Sequence, residues 1–141
     1  MNYKGIKDQR FYCLNCSEII EFKSYGSNYH KYCDSKCQGG HRSKLTREKN
    51  KKLFSEGRLT QRARIYELLI DRDGNRCACC GITEWRGQFI RLWVDHIDGN
   101  ASNNQPDNLR LICPNCDSQS DTFGGRNRGS GRRSLGLKPY S

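Results

Sequence analysis

Apolar residues along this 141-residue chain come in short bursts separated by long polar stretches. The clearest burst is Phe89-Ile90-Arg91-Leu92-Trp93-Val94, where Ile90, Leu92 and Val94 alternate onto one face, the period-two pattern of a β-strand. A second, shorter strand is predicted at Leu109 to Ile112. Between them, Asp98-Gly99-Asn100 reads as a turn, and Ala101 to Asp107, with Asn103, Asn104 and Pro106, as a loop. Pro114 suits the first turn of a helix running through Asn115, Asp117, Gln119 and Asp121. The order is strand, loop, strand, helix, a ββα unit in which Asp95, at the end of the first strand, can approach Asp117 in the first turn of the helix. Upstream, Ala63, Tyr66, Leu69 and Ile70 recur at helical spacing, with Thr60 as the expected cap and Gly74 as the stop after Arg72. From Arg42 to Gly57 the chain is polar and lysine-rich and reads as a linker.

With about a third of its residues apolar, a chain of this length buries only a small core, and small domains generally need a staple. Nine cysteines offer one. The opening Met1-Asn2-Tyr3-Lys4 carries no apolar stretch behind it, and no run is long enough to span a bilayer, so a cytoplasmic protein with no membrane partner is expected. In a reducing compartment, paired CxxC motifs read as zinc ligands rather than disulfides. Cys13, Cys16, Cys33 and Cys37 form one candidate four-thiolate set, in a knuckle-and-hairpin module whose small core draws on Phe11, Tyr12, Phe22, Tyr25, Tyr29 and Tyr32. His30 and His41 flank the second pair, and either could replace a cysteine as ligand. Cys77, Cys80, Cys113 and Cys116 form the second set, whose long separation would pin the start of the ββα unit to its end. Cys79 is left over as a small buried residue or unpaired thiol, with exchange for Cys80 open. Four thiolates close a tetrahedron, so both zinc ions are expected to be structural.

The net charge of +10 is uneven. Lys44, Arg47, Lys51, Lys52, Arg58, Arg62 and Arg64 concentrate upstream and Arg126, Arg128, Arg132 and Arg133 downstream, while the segment between Cys77 and Asp121 is slightly acidic. Carboxylates that hold a cation, between basic arms that hold a polyanion, suit a metal-dependent nuclease. The helix with Arg62 and Arg64 off its apolar stripe has one side to pack and one to offer to DNA. The resulting division is a four-cysteine module at 1–41, a basic linker and helix at 42–76, a chemistry-bearing core at 77–123 and a flexible basic tail at 124–141.

The run from Cys77 to Asn127, with Val94-Asp95-His96-Ile97-Asp98-Gly99-Asn100 and Asn108-Leu109-Arg110-Leu111-Ile112-Cys113-Pro114-Asn115-Cys116, resembles the HNH endonucleases, most of all the short phage and mobile-element members. The resemblance implies a small, zinc-stabilised α+β fold: an N-terminal zinc-finger module and a ββα-metal core of the His-Me finger kind. It also implies that Asp95 is a ligand of a catalytic Mg²⁺ or Mn²⁺, that His96 is the general base, and that Asn108 braces the loop and orients the histidine. The last family position, usually histidine or asparagine, is Asp117 here, and two carboxylates make a hard, oxygen-rich site. The expected reaction is hydrolysis of double-stranded DNA to 5′-phosphate and 3′-hydroxyl ends, by nicking or, with a homodimer on the DNA, by cutting both strands. The competing readings are a weak or inactive zinc-stabilised DNA-binding protein and an RNA-binding zinc protein whose tyrosines stack on unpaired bases.

Overall fold

A computed structural model describes residues 11–20 and 31–138. Phe22, Tyr25, Tyr29 and His30, assigned above to the first module, lie outside the described residues. The chain divides into a unit at Met1–Lys49 and a unit at Asn50–Ser141. Among the described residues, no helix is long and apolar enough to cross a membrane.

In the first unit, β1 (Phe11–Tyr12) pairs antiparallel with β2 (Ile19–Ile20) around the turn that carries Cys13 and Cys16. Helix α1 (Ser35–Ser55) follows. Asp34 caps it, its Oδ1 accepting from the Cys37 N–H at 2.6 Å, which holds Cys33 and Cys37 about the first turn. The unit boundary falls inside α1, so the stretch read as a linker from Arg42 is helical to Ser55. Periodicity did not reveal it because α1 buries none of its residues. Its charged positions are exposed, and Leu53 and Phe54 reach the core of the second unit only at its last turn.

In the second unit, α2 (Arg62–Asp73) has Gln61 at its N-cap, not the expected Thr60, and no side-chain hydrogen bond caps it. Its buried residues are Ile65 and Leu69, so the apolar face is rotated from the expected Ala63, Tyr66, Leu69 and Ile70, and Ala63 is exposed. Gly74, at φ 78°, ends it as expected. The single strand expected at Phe89 to Val94 is two elements. Its first residues join a small hairpin, β3 (Glu84–Trp85) with β4 (Gln88–Phe89), and its last residues open β5 (Trp93–His96). Arg86 and Gly87 both have positive φ, 52° and 75°, as a two-residue turn of this hand requires.

The pair β5 and β6 (Leu109–Ile112) is antiparallel, with Trp93 opposite Ile112, Val94 opposite Leu111, Asp95 opposite Arg110 and His96 opposite Leu109. A short 3₁₀ turn at Pro106–Asn108 leads into β6, and α3 (Pro114–Ser118) follows, ending before the expected Asp121. The core gathers Leu59, Ile65, Leu69, Leu92, Leu109, Leu111 and Ile112 with Cys77 and Cys113. Full burial of one such aliphatic side chain is worth about 1.5–3 kcal/mol, and so few of them leave the cysteines a share of the stabilisation. Arg72 ties α2 to the other side of this core, donating to the carbonyls of Pro106 at 2.8 Å and Leu109 at 2.9 Å.

The described part of the tail is turned rather than extended. A 3₁₀ turn spans Gly124–Asn127, the Leu137 N–H bonds the Arg132 carbonyl at 2.8 Å, and the Ser130 carbonyl accepts from the Ala101 N–H at 3.2 Å. Gly-, Arg- and Ser-rich composition has no apolar pattern to reveal such turns, which are closed by backbone bonds and by arginines on carbonyls.

Candidate active site

Two cysteine clusters form, each with its thiol sulfurs within 4.8 Å of one another: Cys13, Cys16, Cys33 and Cys37, and Cys77, Cys80, Cys113 and Cys116. Sulfur separations of 3.7 Å for Cys16 to Cys33 and for Cys16 to Cys37, and of 3.8 Å for Cys80 to Cys113, match the about 3.8 Å edge of a tetrahedron of thiolates around one zinc ion, while Cys33 and Cys37 stand closer, at 3.2 Å. Burial raises the Cys77 thiol, but backbone N–H groups, including that of Cys113 at 3.3 Å, outweigh it and bring it down to about 6. Cys13 reaches about 6 for the same reason. Such thiols ionise readily, as metal ligands must. His41 is not in the first cluster; its ring lies 5.5 Å from that of Tyr32. Cys79 is exposed and outside the second, correcting the expectation of a buried thiol while fitting an unpaired one.

The β5–β6 hairpin displays the other candidate residues. Asp95 and Arg110, register partners across the two strands, form an ion pair at 2.7 Å through Oδ2, with the side chains 11% and 26% exposed. Burial lowers the Arg110 guanidinium's hold on its proton, and the bond to Asp95 more than restores it. Asp117, half-buried in α3, has its carboxyl raised by burial and then by the Asp95 charge, against the opposing pull of Arg62 and Arg110. The four groups therefore share one electrostatic neighbourhood. Two carboxylates there offer hard oxygen donors of the kind Mg²⁺ takes, one or two from protein with the remainder from water and phosphate. Among the described residues, they are not gathered with a third Cys, His, Asp or Glu ligand.

His96 ends β5, and its Nε2 lies 3.1 Å from Asn104 Oδ1. With that oxygen accepting, Nε2 is the donor of this bond, and the singly protonated tautomer that makes it keeps a lone pair on Nδ1. Asn108 lies elsewhere in the loop. Its Nδ2 donates to Asp98 Oδ1 at 2.9 Å and to the Asn103 carbonyl at 2.8 Å, and its Oδ1 accepts from the Asp98 N–H at 3.0 Å. Burial raises the Asp98 carboxyl, but bonds from Asn103, Asn100 and Asn108 outweigh it and hold it below the ordinary carboxylate range. Gly99, at φ 70°, makes the tight turn after His96. Gly57, at φ 66°, holds a left-handed conformation that favours glycine, beside the flexible end of the Gln105 side chain from the same loop.

Sequence reading therefore missed Arg110, Asn104 and Asp98. The cross-strand pairing of Asp95 with Arg110 follows once the register is known; nothing in the sequence separates Asn104 from the neighbouring Asn103 as the partner of His96. Of the expected DNA-contacting cations, Lys44, Arg47, Lys51, Lys52, Arg58, Arg64, Arg128 and Arg133 are exposed. Arg58 and Arg64 pair with Glu56 and Glu67, and Arg62 donates to the Val94 carbonyl at 3.3 Å. Arg126 is spent on the Ser120 carbonyl at 2.7 Å and Arg132 on the Lys138 carbonyl at 2.8 Å.

Residues 91–115 match the family model described as HNH endonuclease. The H-N-H endonuclease F-TflIV of Escherichia phage T5 is 44% identical over 55 residues, 39% of this chain and 24% of that protein. The chain thus spans about a quarter of the length of the curated relative it matches. No solved structure matches significantly.

Proposed function

From the premise that this chain is a member of the HNH endonuclease family, matched at residues 91–115, we propose that it is a metal-dependent endonuclease hydrolysing phosphodiester bonds of double-stranded DNA. The observation that carries the reading is a histidine held through one ring nitrogen by a loop asparagine, next in sequence to Asp95, whose charge also acts on Asp117 of α3. His96, with Nε2 committed to Asn104, takes a proton on Nδ1 from the attacking water. The water oxygen bonds to phosphorus, the bond to the 3′ oxygen breaks, and that oxygen takes a proton from solvent, leaving 5′-phosphate and 3′-hydroxyl ends. Asp95 and Asp117 would hold Mg²⁺ or Mn²⁺, whose chemistry is to neutralise charge on the phosphate and the leaving oxygen. Arg110 fixes the Asp95 carboxylate against rotation, and Asn108 with Asp98 stiffens the loop that carries Asn104. Both cysteine clusters would hold structural zinc. One site supplies one nucleophile, so cutting both strands takes two copies on the DNA or a second encounter.

A second reading, a zinc-stabilised DNA-binding protein of little or no activity, is favoured by the 2.7 Å Arg110 bond, which already occupies one Asp95 oxygen. Supercoiled plasmid, incubated with zinc-loaded protein and Mg²⁺ or Mn²⁺, separates the two. Divalent-dependent nicks that DNA ligase reseals support the nuclease and its end chemistry. Tight, salt-sensitive binding with the plasmid left supercoiled would support the binding protein.

A further inference from the structure

A groove of about 810 Å³ opens on the second unit between the start of α2 and the outer edge of β5. Arg62, Tyr66, Arg91, Trp93 and Val94 line it. β5 pairs only with β6 among the described strands, and the Val94 carbonyl on its other edge is met by Arg62. Trp93 is 42% exposed although it sits at the start of a paired strand, and Arg91 beside it is exposed as well. An indole and a phenol with two guanidiniums, in a slot on a strongly basic chain, are what a nucleotide demands: a flat ring to stack on and cations for its phosphate. A volume in the range of small-ligand pockets suits one or two nucleotides. Position adds direction. Arg62 lines the groove, and its charge also reaches Asp117.

We propose that this groove seats an unpaired nucleotide of the substrate strand, its base stacked on Trp93 and its phosphate held by Arg91 and Arg62. The inference rests on the nucleic-acid substrate of the proposed function and names where the strand next to the cut is gripped. A duplex gripped this way is frayed or has one base turned out, at a cost that is smallest at mismatched or already open sites. The enzyme is then expected to favour nicked, gapped or forked DNA.

The test uses indole fluorescence. The chain has two tryptophans, so Trp85→Phe, a change at a residue 63% exposed, leaves Trp93 as the sole reporter. Zinc-loaded full chain without other divalent cations is titrated with pentathymidylate, with inorganic polyphosphate and with a fully paired blunt hairpin. The expected result is saturable quenching by pentathymidylate alone, a slope of log affinity against log salt reduced by about 0.7 in Arg91→Ala, and, by anisotropy of labelled pentathymidylate, affinity at least about fivefold weaker in Trp93→Ala. Quenching by polyphosphate to the same extent would reduce the groove to a general anion contact and overturn the proposal. So would equal quenching by the paired hairpin, or pentathymidylate binding, followed by anisotropy, that leaves Trp93 emission unchanged. The readout needs no turnover. A protein that fails to nick plasmid yet shows the Trp93 response loses the nuclease reading and keeps the groove.

Discussion

Replacing Arg110 by alanine leaves Asp95, 11% exposed, beside Asp117 with no cation across the strand. At an effective dielectric of about 20 and a charge separation of about 4 Å, the Coulomb attraction in such a pair is about 4 kcal/mol. Much of that is offset by the desolvation both groups undergo, and the net value of a charge-assisted hydrogen bond is about 1.5–3 kcal/mol. We therefore expect Arg110→Ala to lower unfolding free energy by about 2 kcal/mol at neutral pH and fixed zinc. The double change Asp95→Asn with Arg110→Ala removes the stranded charge and should recover most of the loss, giving a coupling energy of about 1–2 kcal/mol. Manganese supplies a further discriminant. With its competitor gone, Asp95 binds the cation more tightly, so Mn²⁺ should raise the midpoint of Arg110→Ala more than that of wild type. Urea unfolding followed by circular dichroism, with and without Mn²⁺, measures all of these. A change below about 0.5 kcal/mol in Arg110→Ala, with no added response to Mn²⁺, would refute the argument that the pair restrains a metal-binding carboxylate.

Other expectations follow from the same geometry. Asn104→Ala should lower single-turnover cleavage by about 10–100-fold with fold and zinc content unchanged, while Asn104→Asp, which keeps an acceptor for His96 Nε2, retains most of the rate. The Asp98 carboxyl is held below its unfolded value by bonds from Asn103, Asn100 and Asn108, so its stabilisation is complete above the unfolded pKa of about 3.9 and lost as pH falls through the lower folded value. Asp98→Ala should remove that part of the acid dependence, visible as loop amide exchange already raised at pH 6. Native mass spectrometry should find two zinc ions per chain, and Cys113→Ser should lose the second and unfold the β5–β6 hairpin cooperatively.

Much of the core was legible because its signals are local. Leu109 to Ile112 is the predicted strand to the residue, Pro114 opens a helix, and both four-cysteine sets assemble as their spacing suggested. The losses have physical causes. α1 has no apolar stripe to detect, because it is stabilised by its Asp34 cap and by a core contact confined to its end. The β3–β4 hairpin hides behind Arg86, an unusual residue for a positive φ, so two elements merged into one strand in the reading. The partners that orient the site were the least legible. Arg110 reaches Asp95 through strand register, and Asn104 reaches His96 through the path of a polar loop; residue type and spacing encode neither.

The nuclease reading turns on His96 accepting a proton from water. The direct measurement is single-turnover cleavage of an end-labelled duplex by wild type and His96→Ala, both zinc-loaded and matched in fold, in saturating Mg²⁺ or Mn²⁺. A general base of this kind contributes about 10²–10⁴-fold, and the account predicts a loss of that size with DNA affinity unchanged. Cleavage by His96→Ala at the wild-type rate would contradict it and move the chemistry away from the β5–β6 hairpin.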